Sequence, residues 1–328
     1  MISIIKNGPL HILTPEAMDM KRLFLCIFVI GMLAIPAGAE TIRWVDFDVP
    51  YESLKYALDQ DIRTSEQELH LDWIDVLSLA ACRTGGKCGL ESVKRAAADL
   101  SSGASPEALL GELHKYHSYY HEAYSAVLGG LVGSYAIEKD GQWIPAYGLK
   151  AFSPIASGYG YRHCDDFGNA RSFGFRRKHL GHDLMGSAGT PIVAVEGGTV
   201  EALGWNRYGG WRVGIRSFDS RRYYYYAHLQ KDKPFAPGLT LGDTVQAGDL
   251  IGYMGRTGYS DRENVNNIET VHLHFGMQLI FEESQKECLS EIWVDVYDIV
   301  RLLQSHTSSI QGGKRRYPYR DLDVEQYP

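Results

Sequence analysis

In RRKHLGHDLMGSAGTP, residues 176–191, two histidines and an aspartate fall within five positions: His179, His182 and Asp183. Two later fragments add imidazoles, YYYYAHL ending in His228 and HLHFG carrying His272 and His274. Imidazole nitrogens and a carboxylate oxygen are donors that zinc accepts in a tetrahedral shell. Three protein ligands leave the fourth place for water. Such a site lowers the pKa of water from about 16 to near 7 and so supplies a hydroxide equivalent at neutral pH. Histidines left over beside it can orient that water, move its proton and stabilise a developing oxyanion.

Strand parity sorts these residues. Side chains two apart on a strand share a face, so His272 and His274 point together while Leu273 and Phe275 belong to a core. By the same count His228 shares its face with Tyr224 and Tyr226. HLGHD contains Gly181 and runs into GSAGTP, a poor helix sequence. Extended, it aligns His179 with Asp183 and turns His182 away. The expected metal set is His179, Asp183 and one of the two HLH histidines. Each fragment alone is a common surface pattern; their joint presence in one glycine-rich β region carries the reading.

The elements that must position them follow from periodicity. From about Val49 to Tyr135 the pattern is helical: VPYESLKYALDQD, LDWIDVLSLAAC, LESVKRAAADL, and a segment opening with Ser105 as N-cap and Pro106 at the first helical position. Beyond it, TPIVAVEGGTVEAL, WRVGIRSF, YYYYAHL, DLIGYMG and VHLHFGMQLIF read as short strands joined by glycine-rich turns. The expected class is α+β. A helical domain at 40–145 precedes an all-β antiparallel sandwich at 146–283, a C-terminal helix at 284–306 and a flexible tail at 307–328. The helical region has its own cluster, His114, His117 and His121, on one helical face. No neighbouring carboxylate or cysteine pattern in the sequence completes it, so a polar helix surface is the expectation. Glu112 and Glu122 lack a second catalytic partner.

Composition narrows the setting. The chain has 328 residues, 45% hydrophobic and 22% charged, with a net charge of −7. That balance argues against a nucleic-acid partner, and the basic run GKRRYPYR, residues 313–320, reads as a solvated tail. MKRLFLCIFVIGMLAIPAGAE has the layout of an export signal. A basic start precedes an apolar run too short to span a bilayer comfortably, and small residues at Ala37 and Ala39 set cleavage after Ala39. Translation is expected to start at Met18 or Met20, and no stable membrane insertion is expected after cleavage. Of the four cysteines that remain, Cys82, Cys88, Cys164 and Cys288, the short Cys82–Cys88 loop is the expected disulfide, with free thiols as the alternative.

With SGYGYR, HLGHDLMGSAGTPIVAVEGGTV, YYAHL, GDTVQAGDLIGYMGRTG and HLHFG in that order over residues 153–279, the chain resembles the lysostaphin/LytM-type zinc metallopeptidases, a family of peptidoglycan endopeptidases. The resemblance implies a duplicated hybrid-motif β-sandwich with one zinc per chain. His179, Asp183 and His274 become the ligands, and His228 and His272 the catalytic pair. It further implies hydrolysis of bacterial cell-wall peptides by metal-activated water, in a secreted, cell-wall-associated protein. This sequence departs from the family pattern at three places. His182 stands where an aliphatic residue is usual. HCDDFGNARSFGFRRK differs from the familiar connection before His179, and GYSDRENVNNIETV is longer and more acidic than usual before HLH. The last two should border the groove and select the peptide.

Two other classes compete. A catalytically inactive relative that binds cell wall or a partner would be expected to have lost a ligand, whereas all five positions are intact here. GDTVQAGDLIGYMG has the turn-rich look of a biotinyl or lipoyl hairpin but contains no lysine for attachment.

Overall fold

The computed structural model describes residues 43–45, 47–173, 175–282, 285 and 290–324. The export-signal region 1–39 and Cys288 lie outside the described residues. The chain divides into two compact units, one running to Ala126 and including Ile280–Val294, the other Val127–Leu279 with Asp295 onward.

The first unit is built on helices α1 (Tyr51–Thr64), α2 (Trp73–Thr84), α3 (Leu90–Leu100), α4 (Pro106–Leu110) and α5 (His117–Leu128), the last two residues of α5 falling in the second unit. Asp72 caps α2, its carboxylate accepting from the Ile74 and Asp75 amides at 2.7 and 3.3 Å. Gly85 ends α2 in the left-handed conformation, φ 65°. Leu54 and Ala57 of α1, Trp73 and Leu77 of α2 and Val93 and Ala96 of α3 supply the buried faces. The residues Arg43–Val45 pair in parallel with Ile292–Val294.

Cys82 and Cys88 do not form the expected disulfide; both are buried free thiols, and Cys164 is free as well. After α2 ends, the chain returns Cys88 against the helix, its Sγ 3.7 Å from Leu77 O and 3.3 Å from Tyr124 Oη. Burial pushes the Cys82 thiol up to about 11 and that of Cys88 up to about 12.

The second unit is a largely antiparallel β structure. Its strands near the histidine fragments are β1 (Arg162–Cys164), β2 (Ala170–Phe173), β3 (Phe175–Lys178), β4 (His182–Met185), β5 (Gly198–Asn206), β6 (Gly210–Ser217), β7 (Arg222–Ala227) and β8 (His272–Leu279). The order β5-β6-β7-β8-β4-β1 forms an open antiparallel sheet, and β2 and β3 form a separate hairpin. Pro191–Val193 pairs with Leu250–Tyr253 in a second, small sheet. Tyr224 and Tyr226 from β7 and Leu273 and Phe275 from β8 fill the core side of the main sheet, each 1% exposed or less.

Strands begin earlier than the periodicity suggests. Val132–Lys139 and Gln142–Leu149 form a hairpin in which Val132 pairs with Leu149. The C-terminal region also departs from expectation. In place of one helix over 284–306 it has strand Ile292–Val294 and a short helix α6, Tyr297–Leu303. The stretch read as a flexible tail is packed: Tyr319–Asp321 adds a third strand to the 132–149 hairpin, and Tyr319 lies in a cluster with Phe152, Val193 and Ala247. The buried Lys150 ammonium holds it, 3.1 Å from Asp321 and 2.9 Å from Asp323. Arg315 of the basic run spreads its guanidinium over Phe152 and Tyr319, at 4.4 and 4.5 Å. A local reading of polar, charged residues missed this because Phe152 and Lys150 come from more than a hundred residues away.

Candidate functional site

Register assembles the site. β8 lies between β4 and β7, and His274 sits opposite Asp183 on one side and Ala227 on the other. Directly opposed residues share a face, so the Asp183 carboxylate and the His274 imidazole meet without any loop having to deliver them. His179 precedes β4. Its backbone is fixed to the turn after β1 by Gly168 N to His179 O at 2.7 Å and His179 N to Asn169 O at 2.8 Å.

Three donor atoms converge. His179 Nε2 lies 3.0 Å from Asp183 Oδ1 and 2.9 Å from His274 Nδ1, and His274 Nδ1 is 3.1 Å from the same oxygen. Ligands about 2.0–2.1 Å from a tetrahedral zinc are separated by roughly 3.3 Å, close to these edges. His179 and Asp183 are buried and His274 is half-buried. Among the described residues these three are the one group of His, Cys, Asp or Glu side chains close enough to share an ion. Burial opposes charge on Asp183, but hydrogen bonds from His179 and His274 outweigh it and hold the carboxyl well below the usual range. Burial likewise opposes charge on His179, and its bonds to the Asp166 and Asp183 carboxylates win, raising it to about 9. A dense carboxylate–imidazole cluster of this kind suits a divalent cation, which would supply the positive charge that protons otherwise provide.

Gly181 of HLGHD has a specific reason. A Cβ there would meet His274 Cε1 at 2.4 Å, His274 Nε2 at 2.6 Å and the Phe275 carbonyl oxygen at 2.9 Å. His182 faces away from the three donors, as parity requires, opposite Phe275 on β8. Its Nε2 lies 2.8 Å from His163 Nδ1, and its ring meets Tyr297 edge-on at 5.2 Å. Burial and His163 lower it to about 4.

The two remaining histidines stand beside the donors. His272 Nε2 is 3.8 Å from Asp183 Oδ1, and the His228 and His272 rings are 4.7 Å apart. Nδ1 of His228 donates to Thr257 O and Nδ1 of His272 to Thr270 O, each at 2.9 Å. A carbonyl oxygen only accepts, so these bonds place a proton on Nδ1, and in the neutral ring Nε2 then carries the lone pair. Burial, with His272 and His274 nearby, pushes the His228 imidazole well below its ordinary pKa and keeps it neutral. Parity alone mispositions His228. Tyr224 and Tyr226 point into the core, whereas β7 ends at Ala227 and His228 takes φ 62°. That left-handed residue turns the ring out of the core and toward His272.

Asp166 is a residue that spacing did not flag. Its Oδ1 lies 3.1 Å and its backbone oxygen 3.3 Å from His179 Nδ1, the nitrogen facing away from Asp183. Arg171 pairs with Asp166 and reaches within 3.5 Å of Asp183 Oδ2. A carboxylate on the far nitrogen of a ligating histidine fixes its tautomer and raises its basicity. Asp166→Ala is therefore expected to weaken zinc binding about 10- to 100-fold, measured by competition with a chromophoric chelator. Unchanged affinity would remove Asp166 from the site's support.

The helical cluster does not converge. His114 and His117 stack with ring centroids 5.7 Å apart, and His117 and His121 are 5.9 Å apart. Asp75 supplies a carboxylate that the sequence did not reveal, 3.4 Å from His121 Nε2. The Cys82–Cys88 pair contributes nothing to either cluster.

Comparison with known proteins agrees with this geometry. Residues 177–286 match the profile of peptidase family M23. The L-Ala–D-Glu endopeptidase of Bacillus subtilis is 42% identical over 124 residues, 38% of this chain and 36% of that protein. Lysostaphin of Staphylococcus simulans is 36% identical over 98 residues, 30% of this chain and 17% of lysostaphin. The chain thus matches little more than a third of the first relative's length and less of the second. A solved structure from Ruminococcus gnavus, described as a candidate glycyl-glycine endopeptidase lytM, gives a TM-score of 0.51. It is 22% identical, with 80% of this chain and 91% of that one covered, a likeness of fold. With the motif order, the register and these matches together, residues 177–286 of the β unit form a domain that matches peptidase family M23 and is similar to the corresponding parts of lysostaphin and the L-Ala–D-Glu endopeptidase.

Proposed function

We propose that the chain is an exported, zinc-dependent endopeptidase that hydrolyses peptide bonds of bacterial peptidoglycan. The observation that carries this reading is the convergence of His179 Nε2, Asp183 Oδ1 and His274 Nδ1 beside two imidazoles whose Nε2 atoms are free. His179, Asp183 and His274 hold one zinc. Bound there, it supplies Lewis acidity that polarises a carbonyl and acidifies water.

The protein's own groups do the rest. His272 and His228, through Nε2, accept the proton of the attacking water and return one to the leaving amine. As imidazolium either can also face the oxyanion that develops on the scissile carbonyl. Thr257 O and Thr270 O hold the rings in orientation throughout. Among the described residues no helix is long and apolar enough to cross a membrane. Export rests on the N-terminal signal layout, and relatives named L-Ala–D-Glu endopeptidase and glycyl-glycine endopeptidase support the substrate class.

The test is incubation of the purified protein with peptidoglycan of several cross-link chemistries, followed by mass spectrometry of the soluble fragments. New peptide termini should be released, be suppressed by a zinc chelator and return when zinc is restored. Cleavage indifferent to chelation would remove the metal from the reaction. Stoichiometric zinc with no cleavage of any wall would restore the binding-scaffold reading.

A further inference from the structure

Next to the histidines stands a group that the hydrolytic reading leaves without a task. Arg177 is on β3, two residues before His179. Its guanidinium carbon lies 4.8 Å from the ring centre of Tyr208 and 5.0 Å from that of Tyr259. Two aromatic faces fix the plane of a guanidinium. Phe173 completes the support, stacked on Tyr259 at 5.1 Å and edge-on to Tyr208 at 6.3 Å. Tyr259 in turn meets His228 edge-on at 6.1 Å. The arginine is therefore tied through a single ring to a residue of the proposed catalytic pair.

Arg177 is half-buried, and none of its guanidinium nitrogens has a hydrogen-bond partner among the described residues; Nη1 is enclosed, so the more open edge of the guanidinium is the one an anion would meet. Among the described residues no carboxylate lies within ion-pair distance of it. Its neighbour Arg207 differs: it also covers Tyr208 and Phe173, at 5.2 and 5.8 Å, but it is half exposed and paired with Asp261 at 3.3 Å. In a chain of net charge −7, an oriented, unpaired guanidinium donor beside the site is an unmet demand for an anion. A carboxylate meets it better than a peptide carbonyl, because charge and fork geometry both match.

We propose that Arg177, clamped by Tyr208 and Tyr259, anchors a free carboxylate of the peptide substrate and makes the site selective for acidic over neutral peptides. The proposal rests on the endopeptidase reading and names the substrate class within it. Phe173 and Arg177 come from the unfamiliar connection before His179, and Tyr259 from the acidic insertion before HLH. Two of the three departures from the family pattern thus meet in one specificity element.

The experiment uses the full zinc-loaded chain carrying His272→Ala, so that bound peptide persists. Two fluorescent stem peptides are titrated, identical except that the D-glutamate α-carboxylate is free in one and amidated in the other. The free acid should bind roughly tenfold more tightly, and adding Arg177→Gln should bring the two affinities to within about twofold of each other while sparing the amide. Equal affinities, a preference that survives Arg177→Gln, equal weakening of both peptides by that change, or no measurable binding would each overturn the proposal. Hydrolysis by the unsubstituted chain is scored separately: failure to cut either peptide counts against the endopeptidase reading, whereas the affinity ratio decides the role of Arg177.

Discussion

Replacing His272 by alanine is expected to lower kcat for peptide hydrolysis by about 10²–10⁴-fold while zinc content stays at one per chain. His274→Ala, two residues along the same strand, should abolish both. The contrast follows from which nitrogen points where. His274 Nδ1 is within 3.1 Å of the other two donors, whereas His272 approaches Asp183 only to 3.8 Å and spends its Nδ1 on Thr270 O. His228→Ala should behave like His272→Ala, because its ring packs on His272 and its Nδ1 is likewise taken by a backbone oxygen. Metal analysis of each purified variant alongside its turnover checks the assignment. Loss of zinc on removing His272 would move it from proton transfer to coordination, and full activity without it would eliminate the role altogether.

The second large effect lies under the sheet. Arg222 opens β7 and is fully buried, with Nε 2.8 Å and Nη2 3.1 Å from the two oxygens of Glu196 and Nη2 2.6 Å from Asp219. Tyr224 Oη donates to the same Glu196 at 2.6 Å. Taking away the guanidinium strands a buried carboxylate, so Arg222→Met should destabilise folding by about 3–5 kcal/mol. The double variant Arg222→Met, Glu196→Gln should recover a substantial part, because the neutral amide removes the more deeply buried of the two carboxylates that Arg222 compensates and leaves only Asp219, which is nearer the surface. Denaturant unfolding of the two variants measures it. A single-variant loss under about 1 kcal/mol would mean that water reaches Glu196 or that its carboxyl takes up a proton in place of the guanidinium.

How far the site could be read from sequence depends on the range of the cause. Two-residue periodicity suffices for His272 and His274, because β8 is a regular strand with a core on its other face, and for the outward turn of His182. It fails at His228, where one left-handed residue breaks the alternation. Asp166 and Arg177 carry no local signal: the first matters because a turn folds back on His179, the second because two tyrosines from distant loops converge on it. The free thiols reflect the same limit. Six positions of separation allow a Cys82–Cys88 bridge, yet the return of the chain after Gly85 aims Cys88 at Tyr124. The packed C-terminus depends on Phe152 and Lys150, which no window around Tyr319 contains.

His272 and His274 occupy alternate positions of β8, with Leu273 and Phe275 embedded in the core. The proposed metal ligand and the proposed proton carrier are thereby set one pleat repeat apart, about 7 Å along the backbone, a spacing that cannot drift without expelling two apolar side chains. In the proposed reading, changes confined to residues 260–266 would leave that spacing untouched, so this stretch could be recharged or exchanged to retarget the site to a different peptide. Asp166, Asn169 and Thr270 are not interchangeable in this way, because they hold His179 and His272 in place.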